Sequence, residues 1–452
     1  MTSNGIVRLM AASLFVVPCC VAGAAERISH RSYYLDSVRG SDENPGTEAA
    51  PWRRLERLEG LALNPGDHVY FVRGSSFHGG VTIASSGTAD APITFATSGE
   101  GAMPRFTNTD IGHLNGNVFL VTGSHVIVDG LYFHNGPASP PSLKPSPVRK
   151  MGAVFIAPGA SHNIIRNCEV FNYPVGFQSY GAHCLITKNY IHDCTGFLRY
   201  PGWGPVGIMV ASSHHEISHN RIENYIAIGG SWGSDGGAIE IDSGGPNLRK
   251  DIEIHHNISV GNQGFLEVTK GAEAGDPSNI HVHHNISDDW QQFILFWGGR
   301  DSLVEHNTVL CRREQNSNVH LVFAFLKDTV DDIRVRNNIF AVGNGLQIFG
   351  GTIPYNAAQD YDQPREHNLY FSLDGSVQDP CGMPLGPGDA VGDPMFMNLE
   401  TMDLRLRSDS PAIDAAGDSS LLLDFDGKPR ISGQVADMGA FEFQPRERQH
   451  DE

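Results

Sequence analysis

Two short segments carry acids where neighbouring strands would present them side by side. Gly237-Ala-Ile-Glu240-Ile-Asp242 and Gly264-Phe-Leu-Glu267-Val-Thr269 match position for position. Side chains alternate across a strand. With Ile239, Ile241, Leu266 and Val268 turned inward, Glu240, Asp242, Phe265, Glu267 and Thr269 face out. Carboxylates one strand spacing apart, about 5 Å, repel unless a proton, a cation or a substrate lies between them. A polar surface avoids that arrangement. A catalytic or metal site uses it.

The flanking insertions suit a binding groove. Phe197, Arg199, Tyr200 and Trp203 precede one strand of this series, and Trp232 and Asp235 precede the next. Lys270, Glu273 and Asp276 follow Glu267, while Arg300 and Asp301 follow Trp297. Each aromatic taken singly can serve simply to pack a loop. Together, Tyr200, Trp203, Trp232, Phe265 and Trp297, with Arg300, are expected to line a site for sugar rings, which have apolar faces and polar edges.

Three functions fit these residues. In glycoside hydrolysis one carboxyl group protonates the leaving oxygen and the other attacks or activates water; a gap near 5 Å suits retention and a longer one inversion. Glu240 and Glu267 are the preferred pair, with Asp242 or Asp235 as the partner across a longer gap, and no cofactor is required. In β-elimination or C5-epimerisation of a uronate polymer, Glu240, Asp242 and Glu267 would hold Ca²⁺, a hard cation that prefers oxygen. Lys250, Lys270 or Arg300 would then act near C5. The third function is non-catalytic glycan binding at a surface, with the repeats serving as a rigid rod.

The elements that must position these acids come from a repeat. His183-Cys-Leu-Ile-Thr-Lys-Asn189, His215-Glu-Ile-Ser-His-Asn220, Asp251-Ile-Glu-Ile-His-His-Asn257 and Asn279-Ile-His-Val-His-His-Asn285 align, and units ending at Asn167, Asn307, Asn338 and Asn368 extend the series. Asp129-Gly130-Leu opens it with glycine in place of asparagine. No unit can bury its apolar face alone; stacking at about 4.8 Å solves this and lets asparagine amides bond the coils above and below. The uneven spacing places insertions at the other corners. The expected fold is all-β, a right-handed parallel β-helix, with an N-terminal cap and first coils at 25–110, the solenoid at 111–375 and a closing tail at 376–452.

The ends resemble those of the secreted pectate-lyase-like β-helix family of polysaccharide-active proteins. The resemblance lies in Tyr33-Tyr34-Leu-Asp-Ser-Val-Arg-Gly40-Ser41-Asp42, Pro51-Trp52, Pro65-Gly66-Asp67 and Ser86-Gly87-Thr88 at one end. At the other it lies in Asp393-Pro394, Ser410-Pro411-Ala412-Ile413-Asp414 and Asp437-Met-Gly439. It implies the solenoid and a polysaccharide or oligosaccharide partner. It leaves lyase, hydrolase and epimerase open, and both end modules are expected to cover open strand edges.

Composition agrees with this picture. The chain has 452 residues with 51 Gly and 26 Pro, a turn-rich content that disfavours helical bundles. Lys and Arg number 32 against 51 Asp and Glu, a net charge of −19 with no basic run, which excludes nucleic-acid binding. Residues 1–24 read as a cleaved signal peptide, with Leu9–Ala24 apolar and Ala22-Gly23-Ala24 before the cut. The protein is therefore expected to be secreted, and no other stretch approaches membrane-spanning length. Cys168, Cys184, Cys194, Cys311 and Cys381 remain, allowing at most two bridges, one of them among the first three. His219, His256, His284 and His306 precede ladder asparagines and should stack in a column, as should His255 and His283. Such columns are read as a product of repetition, not as metal sites.

Overall fold

The computed structural model describes residues 30–137, 150–198, 202–242, 248–271, 275–313, 322–349 and 360–444. Among these residues three parallel sheets wrap one core. Sheet 1 has 12 strands, from Ser32–Leu35 to Arg365–Glu366; sheet 2 has 12, from Ser76–His78 to Ala390–Val391; sheet 3 has nine, from Val81–Ile83 to Phe323–Phe325. The chain visits sheets 3, 1 and 2 in turn and then climbs one strand. Val81–Ile83, Ile93–Ser98 and Arg105–Thr107 make one coil, and Phe119–Val121, Val126–Asp129 and Tyr132–His134 the next. This is the right-handed parallel β-helix.

The corners explain why so many repeats contain histidine and asparagine. Entering sheet 1, His125, His162, His183, His214, Asp251, Asn279, Asp301 and Asp332 all have φ between 48° and 61°. Leaving it, Asn167, Lys188, His219, His256, His284, His306, Asn337 and His367 have φ between 50° and 59°. Asn, Asp and His tolerate this left-handed region better than most side chains. Identical corners stack their rings, His162 4.8 Å from His183 and His219 4.8 Å from His256; the strand residues just before two corners, His255 and His283, stack at 4.8 Å as well.

The asparagine ladder runs one residue beyond the left-handed corner. Asn189, Asn220, Asn257, Asn285, Asn307, Asn338 and Asn368 each bond the next through Nδ2 and Oδ1 at 2.9–3.1 Å, and the column ends on Asp389. Asn167 does not belong to it. That residue takes the left-handed corner, where Gly130 stands one coil earlier, and Cys168 takes the ladder place, its N–H donating to Asn189 Oδ1. A corner that welcomes asparagine sits beside a ladder slot that also does, so the two are easily confused in sequence.

Inward residues fill the core with aromatic stacks. Phe71, Phe106, Phe119 and Phe133 pack at 4.8–6.1 Å between ring centres at the N-terminal end. Phe265, Phe293 and Phe323 continue the stack further along. At the entry, Trp52 stacks on Tyr33 and donates from Nε1 to the Asn44 carbonyl, while Leu55 and Leu58 are buried.

The five cysteines beyond residue 30 are all buried thiols, and the bridge that the spacing allows among Cys168, Cys184 and Cys194 does not form. They occupy different positions on their coils: Cys168 fills a ladder place, and the Cys184 thiol sits beside the Gly181 and Ala182 carbonyls. The tail also lies along the flank as well as near the end. Ala440 N–H donates to Thr308 Oγ1, Gly439 N–H to the Asn337 carbonyl, and the Ala415 carbonyl meets His367 Nδ1. Buried Arg430 anchors it, donating to the Asp437 and Gly439 carbonyls at 2.5 and 2.7 Å and contacting His306. Phe425 stacks on His256.

Candidate carboxylate site

Strands Gly237–Ile241 and Leu266–Val268 are neighbours in sheet 3, with Ile239 opposite Leu266, Glu240 opposite Glu267 and Ile241 opposite Val268. The four aliphatic residues are buried in the core. The two glutamates therefore share an outward column on consecutive coils. Above and below them that column holds Met209 and Leu295, both buried apolar residues, so the acids form an isolated pair. Asp242 stands in the adjacent outward column next to Ala211 of the coil before, its N–H donating to the Val210 carbonyl, and Thr269 and Trp297 follow it.

Insertions roof this face. Asp235 lies on the two-residue strand Ser234–Asp235, which pairs antiparallel with Ala227–Ile228. Gly204 presses against it: a Cβ at Gly204 would fall 2.2 Å from the Asp235 carbonyl carbon, so only glycine lets the two insertions meet. Trp203 packs with Met151, Val175, Leu198, Val206 and Met209. Its indole hydrogen-bonds Glu240. Trp297 donates from Nε1 to Glu267 Oε1 at 2.6 Å and packs with Leu295, Ala324 and Leu326. Each glutamate thus has one indole donor.

Enclosure leaves Glu240 8% and Asp242 2% exposed, with Glu267 and Asp235 partly exposed. Burial pushes the Glu240 carboxyl well above its ordinary value, and the charges of Asp242, Glu267 and Asp235 push it the same way, against the Trp203 hydrogen bond. Burial also raises Glu267, to about 7; Asp235 and Asp242 add to the rise and the Trp297 bond opposes it. Asp235 is raised too, mainly by burial. The Glu267 charge is thus one of the three that disfavour the ionised form of Glu240.

The other expected residues are placed unevenly. Trp232 is partly buried in the Asp235 insertion, near Gly202. Lys270 is exposed just past Thr269, at the end of the Glu267 strand. Phe265 is not a substrate contact. It is fully buried and stacks on Phe293 at 5.3 Å, because the chain is still turning into the strand at that residue and strict alternation starts only at Leu266. Arg300 belongs to a different face: it lies on sheet 1, between Ser278 and Asp331, and is exposed. Tyr200 and Arg199 fall outside the described residues, as do Glu273 and residues 1–29.

One residue escaped the sequence reading. Arg249 is 1% exposed and donates to the Thr269 carbonyl, Thr269 Oγ1 and the Lys270 and Gly275 carbonyls at 3.1–3.4 Å. Burial lowers its pKa, and the charges of Asp242 and Asp276 oppose that. It ties the loop after Glu267 to the coil below and sets a cation beside Asp242. Its neighbour Lys250 carries the same charge in sequence, and no repeat position marks Arg249 as the one that is buried.

A family model described as a right handed beta helix region matches residues 60–226. Among solved structures, pectate lyase Pel9A superposes with a TM-score of 0.57 at 16% identity, over 92% of this chain and 96% of that one. A rhamnogalacturonan lyase superposes with a TM-score of 0.53 at 16% identity, over 75% of this chain and 87% of the other. No curated protein matches the chain in sequence. These likenesses are of fold. Among the described residues no helix is long and apolar enough to cross a membrane.

Proposed function

We propose that this right-handed parallel β-helix protein is a secreted glycoside hydrolase, with Glu240 and Glu267 as its acid–base or acid–nucleophile pair. The carrying observation is that the two acids stand in one outward column, each with an indole donor and each pushed toward the protonated form. With both pKa values raised, a protonated carboxyl persists toward neutral pH, as a general acid requires. The protonated member gives that proton to the leaving glycosidic oxygen. The ionised member either attacks the anomeric carbon or takes a proton from the water that does. Strands one spacing apart support a short carboxylate gap and so retention of configuration.

Trp203 and Trp297 fix the acids by their N–H groups and give the site flat apolar walls for sugar rings. Asp235 and Asp242 keep its field negative, countered by Arg249 from within and by Lys270 at the exposed rim. That field favours a neutral glycan over a polyuronate.

A calcium-dependent lyase is the second reading. The fold likeness to pectate lyase Pel9A and the four oxygen-donor side chains with Lys270 nearby favour it. The donor set suits Ca²⁺ chemically. Yet among the described residues, three ligand atoms within 4.8 Å of one another occur in histidine-containing groups on sheet 1, not among these four acids. We therefore rank hydrolysis first.

A panel of neutral and uronate polysaccharides tests both readings. Hydrolysis yields reducing ends alone, whereas elimination adds near-ultraviolet absorbance from a conjugated double bond. Glu240→Gln and Glu267→Gln should each abolish the release of reducing ends. Chelator-sensitive absorbance on a uronate would replace this reading with the lyase one, and wild-type rates in either variant would remove that residue from the mechanism.

A further inference from the structure

Sheet 1 carries a second cluster on a face that the carboxylate site does not use. Strand Lys250–His255 lies beside Ser278–His283, with Glu253 opposite His281 and His255 opposite His283. The His281-Val282-His283 alternation turns both imidazoles outward above Glu253, with Val282 buried between them. His281 Nδ1 lies 3.1 Å and His283 Nε2 3.5 Å from the same oxygen, Glu253 Oε2. All three ligand atoms lie within 4.8 Å of one another.

Those separations match a tetrahedral ion. Ligand atoms about 2.0–2.1 Å from Zn²⁺ and at the tetrahedral angle stand roughly 3.3–3.4 Å apart. The far nitrogen of each ring is also held. His281 Nε2 meets Glu305 Oε1 at 3.0 Å, and Glu305 is itself ion-paired with Arg336 at 3.1 Å; His283 Nδ1 meets His284 Nδ1 at 3.0 Å. A carboxylate or other acceptor behind a ligating imidazole is the usual outer shell that fixes its tautomer and aim. Repetition accounts for His256 and His284 at the corners and for His283 stacked on His255, but not for the meeting of these three side chains. His281 and Glu253 lie within strands, with ordinary backbone, and no coil repeats the trio.

We propose that Glu253, His281 and His283 form a Zn²⁺ site with two imidazoles, one carboxylate and a fourth position open to solvent. The entrance exists: the Glu253 side chain is 50% exposed, and the two histidines are 19% and 10% exposed. Two adjacent coils supply the ligands, so the ion would cross-link them.

The test uses tag-free full-length protein stripped with chelator and titrated with Zn²⁺ by calorimetry, with bound metal counted by mass spectrometry. The wild type should take up one Zn²⁺ per chain. Glu253→Gln and His281→Asn should weaken binding at least tenfold while the far-ultraviolet spectrum stays unchanged. Glu240→Gln, on the other face, should bind as the wild type does. The exposed Glu253 side chain makes its variant safe to fold, and the wild-type stoichiometry stands without any variant. No saturable uptake by the wild type, equal affinity in both sheet 1 variants, or loss of binding in Glu240→Gln would each overturn the proposal.

Discussion

Replacing Glu267 by Gln should stabilise the folded chain, and only above mildly acidic pH. Its carboxyl rises from an ordinary 4.5 to about 7 in the folded state. The unfolded chain ionises near 4.5 and the folded chain resists until near 7, so the folded state holds the extra proton in between. The contribution of this group is fully present below about pH 4.5, falls as pH rises through about 7 and is flat beyond. A rise of that size corresponds to about 3 kcal/mol lost at alkaline pH. Partial exposure and the interaction with Asp235 and Asp242 make this an upper bound. Glutamine keeps the shape, accepts the Trp297 N–H through its amide oxygen and carries no charge to bury. Variant and wild type should therefore melt together near pH 4 and diverge with pH, the variant higher by a few degrees at pH 8, since about 1 kcal/mol moves Tm by 2–4 °C or less in chains of this size. Calorimetric melts across that range provide the assay. A difference in Tm that stays constant with pH, or a wild type that gains on the variant as pH rises, would refute the claim that Glu267 is held protonated by burial and by Asp235 and Asp242.

Asn257→Ala should cost roughly 2–4 kcal/mol, because it leaves the Ile217 carbonyl and the Asn220 amide groups unsatisfied in the core; urea unfolding would show it, and a loss below about 0.5 kcal/mol would deny the ladder its role. A thiol reagent should find no reactive cysteine in the folded chain beyond residue 30 and five after unfolding without reductant. Fewer than five would mean that a bridge forms.

The architecture was open to sequence reading because repetition writes it several times over. Asn189, Asn220, Asn257 and their successors recur only if coils stack, and the same alignment put Glu240 over Glu267. Errors arose where one coil departs from the average. Phe265 stands at a turn, where two-residue alternation has not yet begun. Asn167 takes the corner role that His219 plays, and Cys168 the ladder role of Asn220. Arg300 follows Trp297 closely in sequence, but the corner between them rotates it onto another sheet. Arg249 is buried by a loop that closes over it from the next coil, a contact that no local pattern encodes. The pairing of Glu253 with His281 follows from the same alignment, each standing four residues before a ladder asparagine; what no alignment shows is that His283 reaches the same Glu253 oxygen.

The flank-lying tail changes how the solenoid can come apart. In a stack whose coils touch only their neighbours, turns can peel off one by one from an end. Here the segment carrying Phe425, Arg430 and Gly439 is fastened to His256, His306 and Asn337, residues on three different coils, while Ala415 reaches His367 on a fourth. Opening the final turn therefore strains attachments several storeys below it. Fraying from that end becomes a single collective event, and the C-terminal half behaves as one buttressed block instead of a column of separable rings.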